Sequence, residues 1–263
     1  DLIGELIVVD IGPLNELKTW QAVKNEVANE TMAASLFPER PTDAHKGTFG
    51  TALVVAGSVN YSGAALLAGK AAYRIGAGLV TLAVPTPLHT ALAGHFPEAT
   101  WLLLPHEMGS IASGATDVLT DNLERVTALL VGPGLGLDDT TKEFIANLLD
   151  DAPAKASHTR MGFVQNPGSK VDRKHSALPP FVFDADGLKL LAKIPDWFRL
   201  LPKPAILTPH PGEMSLLTGL PVEKIQEDRL AIAGKYAAEW GHVVVLKGAF
   251  TVIAAPDGHT TTI

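Results

Sequence analysis

Apolar residues recur along this chain in two rhythms. Short, nearly unbroken runs occupy 51–56, 79–84, 101–104, 128–131, 181–183, 205–207 and 243–246. Runs of this length predict strands, and their lack of polar alternation predicts burial on both faces, as in a parallel sheet. Longer stretches with helical spacing separate most of them. The clearest covers 62–75, built of small residues and followed by Gly76 and Gly78 as helix-ending glycines. Strand, glycine turn and helix in repetition predict an α/β fold of three layers, α/β/α, with a largely parallel central sheet. In such folds ligands collect where the strands end.

The rhythm changes in three places. The first ten residues hold a β-branched run, 5–10, that stops at Gly12-Pro13 and predicts one strand, either an edge addition to the main sheet or the tail of a preceding unit. Residues 14–32 alternate charged and apolar positions at helical spacing and predict a helix, and Pro38 and Pro41 break the chain before a main domain that starts near residue 42. Over 152–179, Pro, Gly, Ser, His and basic residues follow with no apolar face, which predicts a surface insertion. At the far end, 250–255, the turn Pro256-Asp257-Gly258 and 259–263 predict an antiparallel hairpin.

Composition narrows the chemistry. With 46% hydrophobic and 19% charged residues, a chain of 263 residues builds one large core and is not disordered. A net charge of −7 without any Lys/Arg run speaks against nucleic acid, whose phosphates demand a concentrated basic face. Phosphorylated small molecules stay within reach, because main-chain N–H groups at helix starts supply local positive potential. There is no cysteine, so disulfides and thiolate metal sites are out and a reducing compartment is suitable. No apolar run approaches the roughly 18 residues of a membrane helix, and the first residues lack a basic flank, so a cytoplasmic location away from membranes is expected.

The familiar phosphate and metal signatures are missing. Gly63 to Gly69-Lys70 is one residue too long for a P-loop and continues into Ala71, and Gly132-Pro133-Gly134-Leu135-Gly136 has the wrong spacing for a dinucleotide fingerprint. What remains is a series of turns, each directly after a predicted strand. Gly132–Gly136 either bares backbone to a ligand or makes a tight strand-to-helix turn. Asp184-Ala185-Asp186-Gly187 carries two carboxylates: Asp184 terminates a buried strand and is a candidate for hydroxyl or magnesium-water contact, whereas Asp186 either meets a ligand or caps a helix over 188–192. Thr208-Pro209-His210-Pro211-Gly212-Glu213 stiffens His210 between two prolines; Pro211 can equally serve as a first-turn proline and Glu213 as a complement to the helix dipole. Lys247-Gly248-Ala249-Phe250-Thr251 places a lysine and a glycine at a strand end, either to meet a phosphate or as a solvated turn.

In this order, 45–50, 56–58 with 63–65, 132–136, 184–186 and 208–213 resemble the motifs of the NAD(P)H-hydrate dehydratase family, a branch of the ribokinase-like superfamily. Lys247-Gly248 with Thr251 resembles its nucleotide segment, and the likeness covers about residues 42–263. It implies that Ala64, Gly134 and His210 line a site for NAD(P)H hydrate, with Glu213 and Asp184 nearby. It implies further that Lys247, Gly248, Ala249, Phe250 and Thr251 hold ADP or ATP, accompanied by Mg2+, in a homo-oligomer. The implied reaction passes the terminal phosphate of the nucleotide to the ring hydroxyl of the S-epimer and then eliminates phosphate. Residues 1–13 resemble the closing strand of the epimerase domain that precedes the dehydratase in bifunctional members, so a fragment of a two-domain repair protein is expected. The family's Gly-Thr-Gly-Asp stretch, its anion hole and catalytic base, belongs after the terminal hairpin, where this sequence stops at Ile263. No catalytic residue is therefore assigned, the domain is expected to be truncated, and residues 1–263 alone are expected to be inactive. The alternatives are a vitamin or sugar kinase of the same fold, or an inactive nucleotide-binding fragment.

Overall fold

Each of the seven apolar runs becomes a strand of one sheet in this computed structural model, which describes residues 9, 12, 18–150 and 178–263. The elements begin with α1 (Lys18–Gln21), β1 (Asn25–Val27), α2 (Glu30–Ser35), β2 (Thr51–Val55), α3 (Ser62–Ile75), β3 (Leu79–Pro85), α4 (Thr86–Leu92) and β4 (Thr100–Leu104). A two-residue ladder of β5 (His106–Glu107) with β6 (Ser110–Ile111) follows, then α5 (Ala115–Thr120), β7 (Ala128–Val131), α6 (Asp139–Asp150), β8 (Phe181–Phe183), α7 (Asp186–Leu191), α8 (Trp197–Leu200) and β9 (Ile206–Leu207). The remainder is α9 (Pro211–Thr218), α10 (Val222–Glu227), α11 (Arg229–Trp240), β10 (Val243–Leu246), β11 (Val252–Ala254) and β12 (Thr260–Thr262).

The strands lie in the order β1-β12-β11-β10-β9-β8-β7-β2-β3-β4. Every pairing from β10 to β4 is parallel, while β11 runs antiparallel between β10 and β12. Register aligns the strand ends: Val55 stands beside Val131, Val131 beside Phe183, and Phe183 beside Leu207. Because side chains alternate across a strand, Leu53 and Val55 join one core with Phe144, Leu148, Leu188 and Trp240, whereas Val54 and Ala56 join another beneath Ala65, Leu88 and Leu92. Helices thus cover both faces, giving the expected three layers. No helix among the described residues is long and apolar enough to cross a membrane.

Several local expectations are revised. The single helix expected over 14–32 is, within the described residues, two short helices around β1, because Asn25–Val27 pairs parallel with Thr260–Thr262 and the sheet edge overrides the helical spacing. The final hairpin forms, but its first strand is 252–254 and not 250–255: Phe250 adopts φ +58, which no ladder accommodates. Gly76 caps α3 in the left-handed conformation, whereas Gly78 serves another purpose, since a Cβ there would overlap the carbonyl of Lys46. The helix placed at 188–192 starts earlier, at Asp186. The strand expected over 5–10, Val9 apart, and the segment 152–179, its last two residues apart, lie outside the described residues.

Among the polar side chains buried in this frame, one is a histidine. His242, fully buried, accepts a hydrogen bond at Nδ1 from Ala205 N at 3.0 Å and reaches Phe198 O from Nε2 at 2.8 Å. With Nδ1 accepting, the ring is neutral and Nε2 carries the hydrogen. Burial, joined by the nearby Lys203 charge, pushes its pKa below the ordinary 6.5 despite the Phe198 bond. The unfolded chain therefore takes up the proton first, so this contribution to stability is complete above 6.5 and is lost as pH falls below it toward the folded value. Thermal melts between about pH 7 and pH 5 should show a falling melting temperature, and His242→Asn should give a flatter profile at lower overall stability.

Candidate functional site

Since β2, β7, β8, β9 and β10 are parallel neighbours, the loops after them leave one edge of the sheet. They are fastened side to side. Gly57 N donates to Pro133 O at 2.8 Å, and Gly134 sits so close to the next loop that a Cβ there would lie 2.6 Å from Ala64 Cβ and 2.8 Å from Tyr61 Cβ. Gly132, at φ +136, abuts the following loop so tightly that a Cβ would overlap the Asp184 carbonyl oxygen. Thr208 Oγ1 donates to Asp184 Oδ1 at 2.8 Å, and Lys247 Nζ donates to the same oxygen at 2.7 Å. Lys247 N donates to Pro209 O at 2.8 Å, closing the series. The chain runs outward from β2 to β3 and β4 on one side and from β7 to β10 on the other, so the loops of Gly57 and Gly134 meet where the winding reverses, the place at which folds of this kind form their ligand crevice.

His210 has a double role at the start of α9. Its Nδ1 accepts from Gly212 N at 3.0 Å and Glu213 N at 3.2 Å, while Glu213 Oε2 accepts from His210 N at 2.9 Å. This is a capping box with an imidazole in the place usually taken by a hydroxyl. Because Nδ1 accepts, the hydrogen lies on Nε2, 3.3 Å from Glu213 Oε1 and on a half-exposed side chain. The helix-start reading of Pro211 and Glu213 is realised, and His210 joins it.

Charge concentrates beside the cap. Glu213 is 3% exposed and has Lys247 Nζ 3.7 Å from its Oε2, so one ammonium stands between two carboxylates, Asp184 and Glu213. Asp186 neither caps a helix nor stands free: it accepts from Gly136 N at 3.1 Å and from Lys189 Nζ at 2.9 Å. That bond to Asp186 holds the Lys189 ammonium above the ordinary lysine range. Among the described residues no group of three or more His, Asp or Glu is arranged to hold a metal ion.

Ala64, Gly134, Asp184, His210, Glu213 and Lys247 are thus brought to one edge, and Gly248, Ala249, Phe250 and Thr251 continue from Lys247 at the same edge. One motif of the resemblance lies elsewhere. Residues 45–50 precede β2 and bond to the start of β3 and the residue before it, through Leu79 N to Gly50 O and Gly78 N to Phe49 O. In a parallel pair this is the amino edge, opposite the crevice, where the segment packs the sheet's base. The sequence reading also missed Thr208 as a partner of Asp184 and Tyr61 as a neighbour of Gly134. A hydroxyl residue ending a buried strand was the available signal for Thr208; nothing local marks Tyr61.

Comparison with known proteins shows the family and the fold. The family model for NAD(P)H-hydrate dehydratase matches residues 52–155 and 160–263. The bifunctional NAD(P)H-hydrate repair enzyme of Moorella thermoacetica is 40% identical over 258 residues, covering 98% of this chain but 44% of that protein. The chain therefore spans less than half the length of that curated relative. The ADP-dependent (S)-NAD(P)H-hydrate dehydratase of Bacillus subtilis is 34% identical over 233 residues, 87% of this chain and 69% of that protein. A solved ADP/ATP-dependent NAD(P)H-hydrate dehydratase from Bacillus subtilis, co-crystallised with ATP/Mg2+, matches with TM-score 0.67 and 33% identity over 90% of this chain and 72% of that one. A ribokinase-like superfamily protein of Enterococcus faecalis, 23% identical with TM-score 0.68 over 91% of this chain and 71% of its own, shares the fold.

Two glycine substitutions should separate what the crevice requires from what it tolerates. Gly132→Ala should destabilise the protein by more than about 2 kcal/mol, through both its positive φ and the displaced Asp184 loop. Gly63→Ala, in α3 with open space around it, should be neutral or stabilise by up to about 1 kcal/mol. Urea denaturation of both variants tests the contrast.

Proposed function

As the chain belongs to the NAD(P)H-hydrate dehydratase family, we propose that it serves to convert the S-epimer of NAD(P)H hydrate back to NAD(P)H at the expense of ADP or ATP. The observation that carries this reading is the continuous row of contacts from Gly57 to Lys247, which sets the residues assigned to the hydrate beside those assigned to the nucleotide. Hydroxide is a poor leaving group near neutral pH, so the ring hydroxyl is first phosphorylated and phosphate then departs. The loops hold the two reactants within reach of each other, where positioning and charge neutralisation supply most of the rate.

Ala64 and Gly134, small and in contact, leave backbone exposed to the hydrate, and His210 offers it Nε2–H. Lys247 and the loop to Thr251 hold the nucleotide. Lys247 already stands between Asp184 and Glu213, so an incoming polyphosphate meets an edge that its ammonium alone does not neutralise. This supports the nucleotide arriving with Mg2+, which would balance phosphate charge with one or two protein carboxylates and needs no preformed cage. Asp184, the more exposed of the two and engaged at Oδ1, is the carboxylate that would hold it. We read residues 1–41 as the end of a preceding unit, joined by β1 to the sheet of 42–263. The lack of cysteine suits a cytoplasmic setting, and a homo-oligomer accords with the resemblance.

The full-length protein, given NADPH hydrate with ADP or ATP, should yield NADPH and one inorganic phosphate per turnover; a stable phosphorylated product would show a kinase instead. His210→Ala and His210→Asn should both weaken hydrate binding about tenfold, the value of one lost hydrogen bond, with nucleotide binding unchanged. Only Ala should also lower stability, by about 1 kcal/mol, because Asn still caps α9. Calorimetry on both ligands checks this division, and equal losses for hydrate and nucleotide would refute it.

A further inference from the structure

The loop 247–251 is gripped from behind. Arg229, the first residue of α11, donates from Nη1 to Ala249 O at 2.8 Å and from Nη2 to Leu246 O at 2.7 Å. These carbonyls flank Lys247-Gly248, so one planar, rigid group holds both ends of the turn. Gly248 admits it: at φ +154, a Cβ there would lie 2.5 Å from Nη1 and 2.8 Å from Nη2. No carboxylate pairs with Arg229 among the described residues, so its charge is directed at the loop carbonyls.

The loop has a shape it would not choose alone. Phe250 sits at φ +58, a conformation unfavourable for a bulky side chain, and the residue is 73% exposed, so burial of its side chain does not compensate. Such strain persists where surrounding contacts over-determine it. Arg229 is one such contact. Thr251 is another, its Oγ1 donating to Gly248 O at 3.0 Å.

We infer that Arg229 is a positioning residue, which fixes the shape of loop 247–251 and thereby sets nucleotide affinity without touching the nucleotide. The second half of this statement rests on the nucleotide assignment proposed above. Lysine cannot replace it, because a single ammonium cannot span both carbonyls in fixed geometry.

The test uses the full-length protein with Arg229→Lys, Arg229→Ala and Gly248→Ala, and measures calorimetric Kd for ADP, ATP and NADPH hydrate, amide hydrogen exchange of 247–251, and melting temperature. All three variants should weaken both nucleotides about tenfold or more, leave hydrate affinity within about twofold, and speed exchange in the loop. Arg229→Lys should do so with a melting temperature near that of the wild type, which a merely structural role does not predict. Unchanged nucleotide affinity in Arg229→Lys and Gly248→Ala, or parallel loss of hydrate and nucleotide, overturns the inference. A wild type that binds neither ADP nor ATP defeats the proposed function and with it the affinity half of the inference; exchange in 247–251 then upholds the positioning half if the variants speed it and overturns it if they do not.

Discussion

Parallel pairing of β2, β7, β8, β9 and β10 as immediate neighbours, with their ends in register, is the constraint from which the rest follows. A parallel strand cannot be reached by a tight hairpin; the chain must cross back over the sheet, usually through a helix. The loops after β2, β7, β8 and β9 therefore lead into helices, and helix starts with main-chain donors gather along one edge. The loop after β10 is different. It turns directly into an antiparallel partner, so its shape has to be held by side chains, and Arg229 and Thr251 are the ones that hold it.

Glycine does the complementary work. Neighbouring loops on a parallel edge are only a strand spacing apart, and side chains on both would keep them separated. At Gly132 and Gly134 there is no room for a Cβ, and the backbone of one loop rests against the next. The same close approach sets Asp184 against Thr208 and Lys247, so that the carboxylate ending a buried strand is met by a hydroxyl and an ammonium.

Much of this could be read in the residues before any coordinates. Seven apolar runs gave seven strands because continuous burial leaves a strong signature, and the turns after them were legible because glycine, proline and paired carboxylates are rare choices. The order of strands was not, since nothing local says that β7 lies against β2 and not β4. Hence the motif 45–50 could be placed before the first main strand, but not at the edge of the sheet opposite the converging turns. The stretch 25–27 looked helical because its spacing carries no trace of Thr260–Thr262, far away in sequence. Arg229 was invisible for a similar reason: its partners are carbonyl oxygens, which every residue possesses.

The fastening of Gly57 to Pro133 and of Lys247 to Pro209 uses only peptide groups. Bonds of that kind are indifferent to what the residues around them carry. Val59, Tyr61 and Leu137, all exposed beside the crevice, are therefore open to exchange for other side chains while the scaffold stays assembled. A lineage or a designer seeking a different small molecule could redecorate that rim first, with the foundations already guaranteed by the peptide backbone.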